Sequence, residues 1–168
     1  VRQRAAQAPP QIAALAARLR DAHYSVLIGA PRDFPPHAAL LIEERGVTTM
    51  MGVPATYLFM ARDPRFATAD LSSLRLAVVG GAPMPEPLLE AWRDRGVAIV
   101  QGYGLTEAAP NVLCLPPEDA TRKLGFAGRP YPHVDVALRD PDSGNLLEGA
   151  ATGELAVRGP NVFGGYWR

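Results

Sequence analysis

Four short runs of aliphatic and β-branched residues alternate with stretches at helical spacing: Val26-Leu27-Ile28, Val47 to Met51, Leu74 to Val79 and Val97 to Val100. Between them, Pro36 to Arg45 closes on Gly46 and Pro85 to Arg95 closes on Gly96, the ends that a left-handed glycine supplies to a helix. Pro54 opens Pro54 to Arg62, where its fixed φ and missing N–H suit a first helical position. Strands joined by helical crossovers of this length pair in parallel with right-handed connections. The expected fold class is therefore α/β, a parallel βαβ sheet with flanking helices.

Beyond Pro116-Pro117 the pattern changes. Val134 to Leu138 alternates, Asp140 to Asn145 is a dense turn cluster, and Glu154 to Arg158 is another short strand. This tail is expected to be an incomplete antiparallel, barrel-like β subdomain. At the other end, Ile12, Leu15, Leu19 and Ala22 recur at helical spacing and predict a helix over Gln11 to Ala22. The expected division is a helical Ala/Arg-rich arm at 1–24, an α/β part at 25–115 and a truncated β-rich part at 116–168.

Composition narrows the function classes. A chain of 168 residues with 48% hydrophobic and 20% charged side chains can bury a core. Acidic and basic residues balance at 17 each, so no net field recruits nucleic acid or an acidic membrane surface. Cys114 is the only cysteine, which excludes an internal disulfide and a multi-cysteine metal centre. No apolar run approaches the ~20 residues of a transmembrane helix. Arg2 and Arg4 are followed by polar and alanine-rich sequence rather than a signal-peptide core, so a cytoplasmic location is expected. Lys123 is the only lysine; the arginine excess reads as coding bias rather than a phosphate-binding design.

The richest segment is Gln101-Gly102-Tyr103-Gly104-Leu105-Thr106-Glu107, directly behind the strand at Val97 to Val100. Gly102 and Gly104 would let backbone approach a ligand without an intervening Cβ. Thr106 offers a hydroxyl, and Glu107 a carboxylate able to hold a divalent cation beside phosphate. Taken alone, the heptapeptide fits equally a glycine turn with Thr106 capping a helix. A dinucleotide-binding loop needs a third glycine where Glu107 stands, and that carboxylate would repel pyrophosphate unless a metal intervened. Gly80-Gly81-Ala82-Pro83 also follows a strand and would leave a slot for a flat base. The same residues would serve as a tight turn before the helix at Pro85. Both glycine segments are expected at one carboxyl edge of the sheet, where open α/β sheets bind ligands.

These segments resemble the adenylate-forming (AMP-binding) superfamily, and within it the acid–CoA ligases such as fatty-acid (acyl-CoA) synthetases. Gly81, Ala82 and Pro83 match the family's Gly-Ala-Pro segment, and Tyr103 to Glu107 its Tyr-Gly-x-Thr-Glu motif. Gly153-Glu154-Leu155 with Gly165-Tyr166-Trp167 matches a further signature of architectural character. Gly128-Arg129-Pro130 fits the entry into the barrel-like subdomain. The resemblance implies that Gly81, Ala82 and Pro83 line adenine, that Gln101, Gly102, Tyr103, Gly104 and Leu105 border the adenylate, and that Thr106 contacts phosphate. It implies Glu107 as the Mg²⁺ ligand and Thr106 and Glu107 as the catalytic pair. Leu105 favours acid–CoA ligases over amino-acid-activating domains, which usually carry proline there.

Met51-Gly52-Val53-Pro54-Ala55-Thr56-Tyr57 matches a segment that lines the acyl pocket in relatives. That nominates Val53, Tyr57 and Gly104 for the substrate pocket; core packing is the competing reading, ahead for Met51 and level for Val53 and Tyr57. The implied reaction uses ATP, Mg²⁺, coenzyme A and a carboxylic acid, expected to be fatty, and passes through an acyl-adenylate. The implied nucleotide-binding part is 25–115. Residues 1–24 do not resemble the family, no Ser/Thr/Gly-rich phosphate loop is matched, and Lys123 lies in no matching motif. The ribose-holding aspartate and the lysine-bearing domain would belong to the remainder of the ligase chain, so the isolated segment is expected not to be competent. Alternatives are a non-catalytic nucleotide-binding remnant, an amino-acid adenylation fragment, or a dinucleotide-binding module. His23, His37 and His133 are too scattered for a metal constellation, Cys114 is expected to be a small buried hydrophobe, and Asp140 to Asp142 a hairpin turn.

Overall fold

A computed structural model of the chain describes residues 26–27 and 38–167; the helix expected over Gln11 to Ala22 lies outside them. Four parallel strands come first, in chain order across the sheet: β1 (Val26–Leu27), β2 (Thr49–Gly52), β3 (Leu76–Val79) and β4 (Ile99–Tyr103). Between β1 and β4 run α1 (Ala38–Arg45), α2 (Pro54–Ala61) and α3 (Glu86–Asp94). Gly46 and Gly96 close α1 and α3 at φ 55° and 78°, the left-handed region that glycine enters without a Cβ penalty. Pro54 stands in the first turn of α2, as its position before the apolar run predicts.

The helices share one core against the sheet. Ile42 of α1, Tyr57 and Met60 of α2 and Leu89 and Trp92 of α3 pack with Met50, Ala77, Val79 and Ile99 from alternate strand positions. Period-two alternation sends the intervening residues to the other face, where Leu76, Val78 and Ala98 pack half-buried around Val100, Leu115 and Ala120. Met51 belongs to that second face and is 67% exposed. Its expected place in the core is therefore corrected: Met50 is the inward residue and Met51 the outward one.

β4 continues past the expected end at Val100. Val100 and Gln101 pair in parallel with Val78 and Val79, and then Gly102 and Tyr103 pair antiparallel with β5 (Leu113–Cys114). The antiparallel partner satisfies backbone groups of glycine that strand propensity alone would leave free. β6 (Arg129–Pro130) completes this six-stranded sheet by pairing with β5. The division between sheets thus falls after Pro130, not at Pro116-Pro117. The second sheet is antiparallel, in the order β8 (Leu146–Leu147), β7 (Asp135–Arg139), β9 (Glu154–Arg158). Asp140 closes its hairpin by accepting from the Ser143 and Asp142 backbone N–H groups at 2.7 and 3.1 Å, which makes the aspartate cluster a turn. No helix among the described residues is long and apolar enough to cross a membrane.

The two glycines of the central motif are needed for different reasons. A Cβ on Gly104 would lie 1.2 Å from the Pro110 carbonyl oxygen, because the chain from Tyr103 to Val112 folds back on itself there. A Cβ on Gly102 would meet nothing nearer than the Val79 oxygen at 3.8 Å. Gly104→Ala is expected to lower stability by about 3 kcal/mol, the upper range for forced overpacking. Gly102→Ala should stay within about 1 kcal/mol of wild type. Guanidinium-chloride midpoints compare the two, and equal midpoints would refute the packing argument.

Candidate functional site

Gly52, Val79 and Gln101 are in register across β2, β3 and β4. The loops that follow these strands therefore emerge side by side at the carboxyl edge, where an open α/β sheet presents its ligand crevice. The Gly80 N–H donates to the Gly52 carbonyl at 3.2 Å, and a Cβ on Gly80 would sit 3.5 Å from the Gly102 oxygen. Gly81 turns the chain with φ 82°, and its missing Cβ faces Val53 Cγ1 at 3.5 Å. Gly81, Ala82 and Pro83 are exposed beyond it. The edge is lined by Val53, by Gly80 to Pro83 and by the loop after β4, and the two glycine segments share it as the strand pattern requires.

After Tyr103, Gly104 and Leu105 lead into a 3₁₀ turn at Thr106–Ala108. Leu105, extended at φ −142°, occupies the cap position with no side-chain cap bond; Thr106 is the first residue of the turn and is exposed. The capping role considered for Thr106 is thus not the one it plays here. Ala109 ends the turn in the left-handed region at φ 49°, and Ala108 is buried with Val112 and Val134 while Leu105 packs on them half-buried.

A strap that follows β9 fastens this turn. Asn161 Nδ2 donates to the Ala108 carbonyl at 2.7 Å and to the Asn111 carbonyl at 3.2 Å. The Phe163 N–H donates to the Glu107 carbonyl at 2.9 Å. The Tyr166 hydroxyl donates to Glu107 Oε1, and the Phe163 and Tyr166 rings meet edge-on with centroids 4.8 Å apart. The Tyr166 hydroxyl, and after it the backbone N–H of Glu107 itself, hold the Glu107 carboxyl below its ordinary range. The same contact pushes the Tyr166 hydroxyl up.

The nominated residues divide into two groups. Gly81, Ala82, Pro83, Tyr103, Gly104 and Thr106 are exposed at the edge, with Glu107 half-buried beside them. Gln101 is buried, and its amide Nε2 donates to the Phe126 carbonyl at 3.2 Å, tying β4 to the loop before β6. Tyr57 is fully buried, with its hydroxyl donating to the Val78 carbonyl at 2.8 Å and its ring edge-on to Trp92 at 5.1 Å. Tyr57 therefore supports the edge from beneath, while Val53 reaches it. A cavity lined by Asp70, Ser72, Leu74 and Arg95, among others, opens elsewhere, beside the residues that lead into β3 and β4. The strap residues Asn161 and Phe163 carried no sequence signal of contact with Glu107; Tyr166, assigned an architectural character, contacts the Glu107 carboxylate.

Among the described residues no three His, Cys, Asp or Glu side chains gather as a metal cluster. The donors at the edge are hard oxygens, the Glu107 carboxylate and the Thr106 hydroxyl. Mg²⁺ is commonly held by one or two carboxylates with substrate phosphates and water completing its shell, so this donor set fits Mg²⁺ delivered with a nucleotide.

Comparison with known proteins bears on the same segments. The family model described as AMP-binding enzyme matches residues 13–167, which takes in residues 13–24 that the sequence reading set apart from the family. The chain is 48% identical over 135 residues to a feruloyl-CoA synthase of an Amycolatopsis species, covering 80% of this chain and 27% of that protein. It is 40% identical to a long-chain-fatty-acid–CoA ligase of Yersinia pestis, covering 86% of this chain and 25% of that protein. The inhibitor-bound N-terminal domain of FACL13 from Mycobacterium tuberculosis superposes with a TM-score of 0.69 at 38% identity, over 80% of this chain and 33% of that one. The chain thus spans about a quarter of the length of the curated relatives it matches. With its α/β edge, its glycine segments and a family match over nearly all its length, this chain belongs to the AMP-binding enzyme family and is similar to the acid–CoA ligases within it.

Proposed function

We propose that this chain supplies the adenine and cation side of an ATP-dependent acid–CoA ligase. The observation that carries the reading is the convergence of Gly80 to Pro83 with Tyr103 to Glu107 on one carboxyl edge. In this reading the small residues Gly81, Ala82 and Pro83 give adenine a flat backbone surface. The half-exposed ring of Tyr103 borders it, and the Thr106 hydroxyl donates to a phosphate oxygen. Glu107 holds Mg²⁺, which when bound offsets the charge of the phosphate oxygens. The acid's carboxylate oxygen attacks the α-phosphorus as pyrophosphate leaves. The sulfur of coenzyme A then attacks the acyl carbonyl, AMP departs, and the thiol proton passes to solvent. ATP and coenzyme A would be substrates together with the acid, and the remainder of the ligase chain a partner in the site.

Val53 and Gly104 would border the acyl group, with Tyr57 fixing the floor beneath them. A fatty acid is the substrate first expected. Greater identity to the feruloyl-CoA synthase than to the long-chain ligase favours a second reading, an aryl-substituted acid. In a full-length ligase carrying this segment, acyl-CoA formation across matched fatty and aryl acids separates the readings by kcat/KM. Preference for amino acids would favour an adenylation domain instead.

Calorimetric titration of the purified chain tests the nucleotide reading. AMP and ATP·Mg²⁺ are expected to bind and NAD to bind no tighter; tighter NAD binding would favour the dinucleotide module, and no adenine-nucleotide binding would overturn the assignment. In the full-length ligase, Glu107→Gln should slow pyrophosphate release by on the order of 10²-fold, since the amide keeps the shape and loses the charge. Acid binding should change less than about twofold. Unaltered release at saturating Mg²⁺ would remove Glu107 from the metal role.

A further inference from the structure

Glu107 is held from two directions that are far apart in sequence. β4 delivers it through the Gly104 turn, and the strap from Gly159 to Tyr166 reaches it from beyond β9, 59 residues later at Tyr166. Three hydrogen bonds hold the strap to the turn's backbone: the two from Asn161 to the Ala108 and Asn111 carbonyls, and that of the Phe163 N–H to the Glu107 carbonyl. Gly159 leaves room for the Asn161 amide, whose Oδ1 a Cβ there would approach to 2.5 Å. That oxygen is buried without a partner among the described residues, and the amide is held through its two donated bonds. The fourth contact goes to the carboxylate itself.

We propose that Tyr166 is a positioning residue for Glu107, with Asn161 as the anchor that brings it there. The hydroxyl engages Oε1 and fixes the rotation of the carboxylate, so that Oε2 is presented to the cation that accompanies the nucleotide. The proposal rests on the assignment of Glu107 as the cation's ligand. A carboxylate free to rotate would lose conformational entropy on each binding event, and a hydroxyl that fixes it beforehand removes that cost. Groups that orient a metal ligand in this manner typically account for 10–100-fold in metal affinity. Tyr166 is 75% exposed, so removal of its hydroxyl empties no core and the Tyr166→Phe ring can still meet Phe163.

The test is uptake of Mn²⁺, a paramagnetic substitute for Mg²⁺, by the 168-residue chain in the presence of ATP, followed by electron paramagnetic resonance. ATP binding is measured separately with EDTA present. Tyr166→Phe should raise the half-saturating Mn²⁺ concentration about tenfold and leave metal-free ATP affinity within about twofold. Asn161→Asp, which keeps the shape but puts an acceptor against two carbonyls, should shift Mn²⁺ in the same direction. Glu107→Gln separates the two levels of the argument. If Glu107→Gln weakens Mn²⁺ binding and Tyr166→Phe does not, the positioning role is wrong and the metal assignment stands. If neither changes it, or the wild-type chain takes up no Mn²⁺ with ATP, the metal assignment fails and the proposal with it. Tighter Mn²⁺ binding by Tyr166→Phe would also overturn it, because the hydroxyl would then be blocking the oxygen the cation needs.

Discussion

The exchange of partners along β4 is the constraint on which the rest of the site depends. Val100 and Gln101 complete the parallel sheet, and the next two residues begin an antiparallel one. A parallel strand ordinarily ends in a crossover helix. Here the chain turns back at once, and Gly104 permits that by leaving room for the Pro110 carbonyl. The tight return places Thr106 and Glu107 beyond the ends of β2 and β3 instead of inside another helix. Gly104 thereby has a packing purpose independent of any ligand. Its missing Cβ makes space for the protein's own backbone.

The helical face of the sheet holds the glycine loops level with this turn. Trp92 is fully buried, edge-on to both Tyr57 and Phe66 at 5.1 and 4.8 Å, and its indole N–H donates to the Tyr57 carbonyl at 3.3 Å. Tyr57 in turn bonds the Val78 carbonyl, two residues before Gly80. Burial pushes the Tyr57 hydroxyl up, which keeps it a neutral donor at physiological pH. An aromatic relay thus runs from α3 through α2 to the strand that ends in the proposed adenine turn. Packed interiors transmit small displacements, so a change at Trp92 would be felt at Gly80 without touching any ligand.

Local chemistry was legible in the sequence and distant pairing was not. Short apolar runs marked β2 and β3, alternation marked β7, a short strand run marked β9, and glycines at positive φ closed α1 and α3 where Gly46 and Gly96 stood. The family motifs marked the edge loops because their residues are contiguous. What failed to show were contacts between segments far apart. The end of β4 depends on β5, whose two residues carry too little pattern to announce a strand. Arg129–Pro130 joins the first sheet although a proline dipeptide at 116 and 117 suggested a boundary before it. The inward or outward sense of Met50 and Met51 turns on a register shift of one residue, which reverses every side chain in a strand. The strap from Asn161 to Tyr166 bridges 50 residues or more and uses a side-chain amide and one phenol, so no periodicity could reveal it.

The distribution of charge explains why so much falls on one carboxylate. Basic side chains here engage nearby acids: Arg65 with Asp63, Arg122 and Lys123 with Asp119, Arg158 with Asp135. The Arg158–Asp135 pair is exposed on both sides and adds little stability, while the Asp63 and Asp119 carboxylates are buried beneath their half-exposed or exposed cations; either way the cations are engaged locally. Among the described residues, the carboxyl edge presents the Thr106 hydroxyl and the Glu107 carboxylate beside the phenols of Tyr103 and Tyr166. A nucleotide phosphate brought to a carboxylate is repelled unless a cation lies between them, so under the proposed function the sign of Glu107 would favour a metal-bound nucleotide over a bare one. Such a preference would need the carboxylate ionised and held in direction; the Tyr166 hydroxyl that contacts Oε1 holds its proton affinity low. The antiparallel sheet thereby reaches the edge of the parallel one: the strap that follows β9 contacts the Glu107 carboxylate and the backbone of its turn.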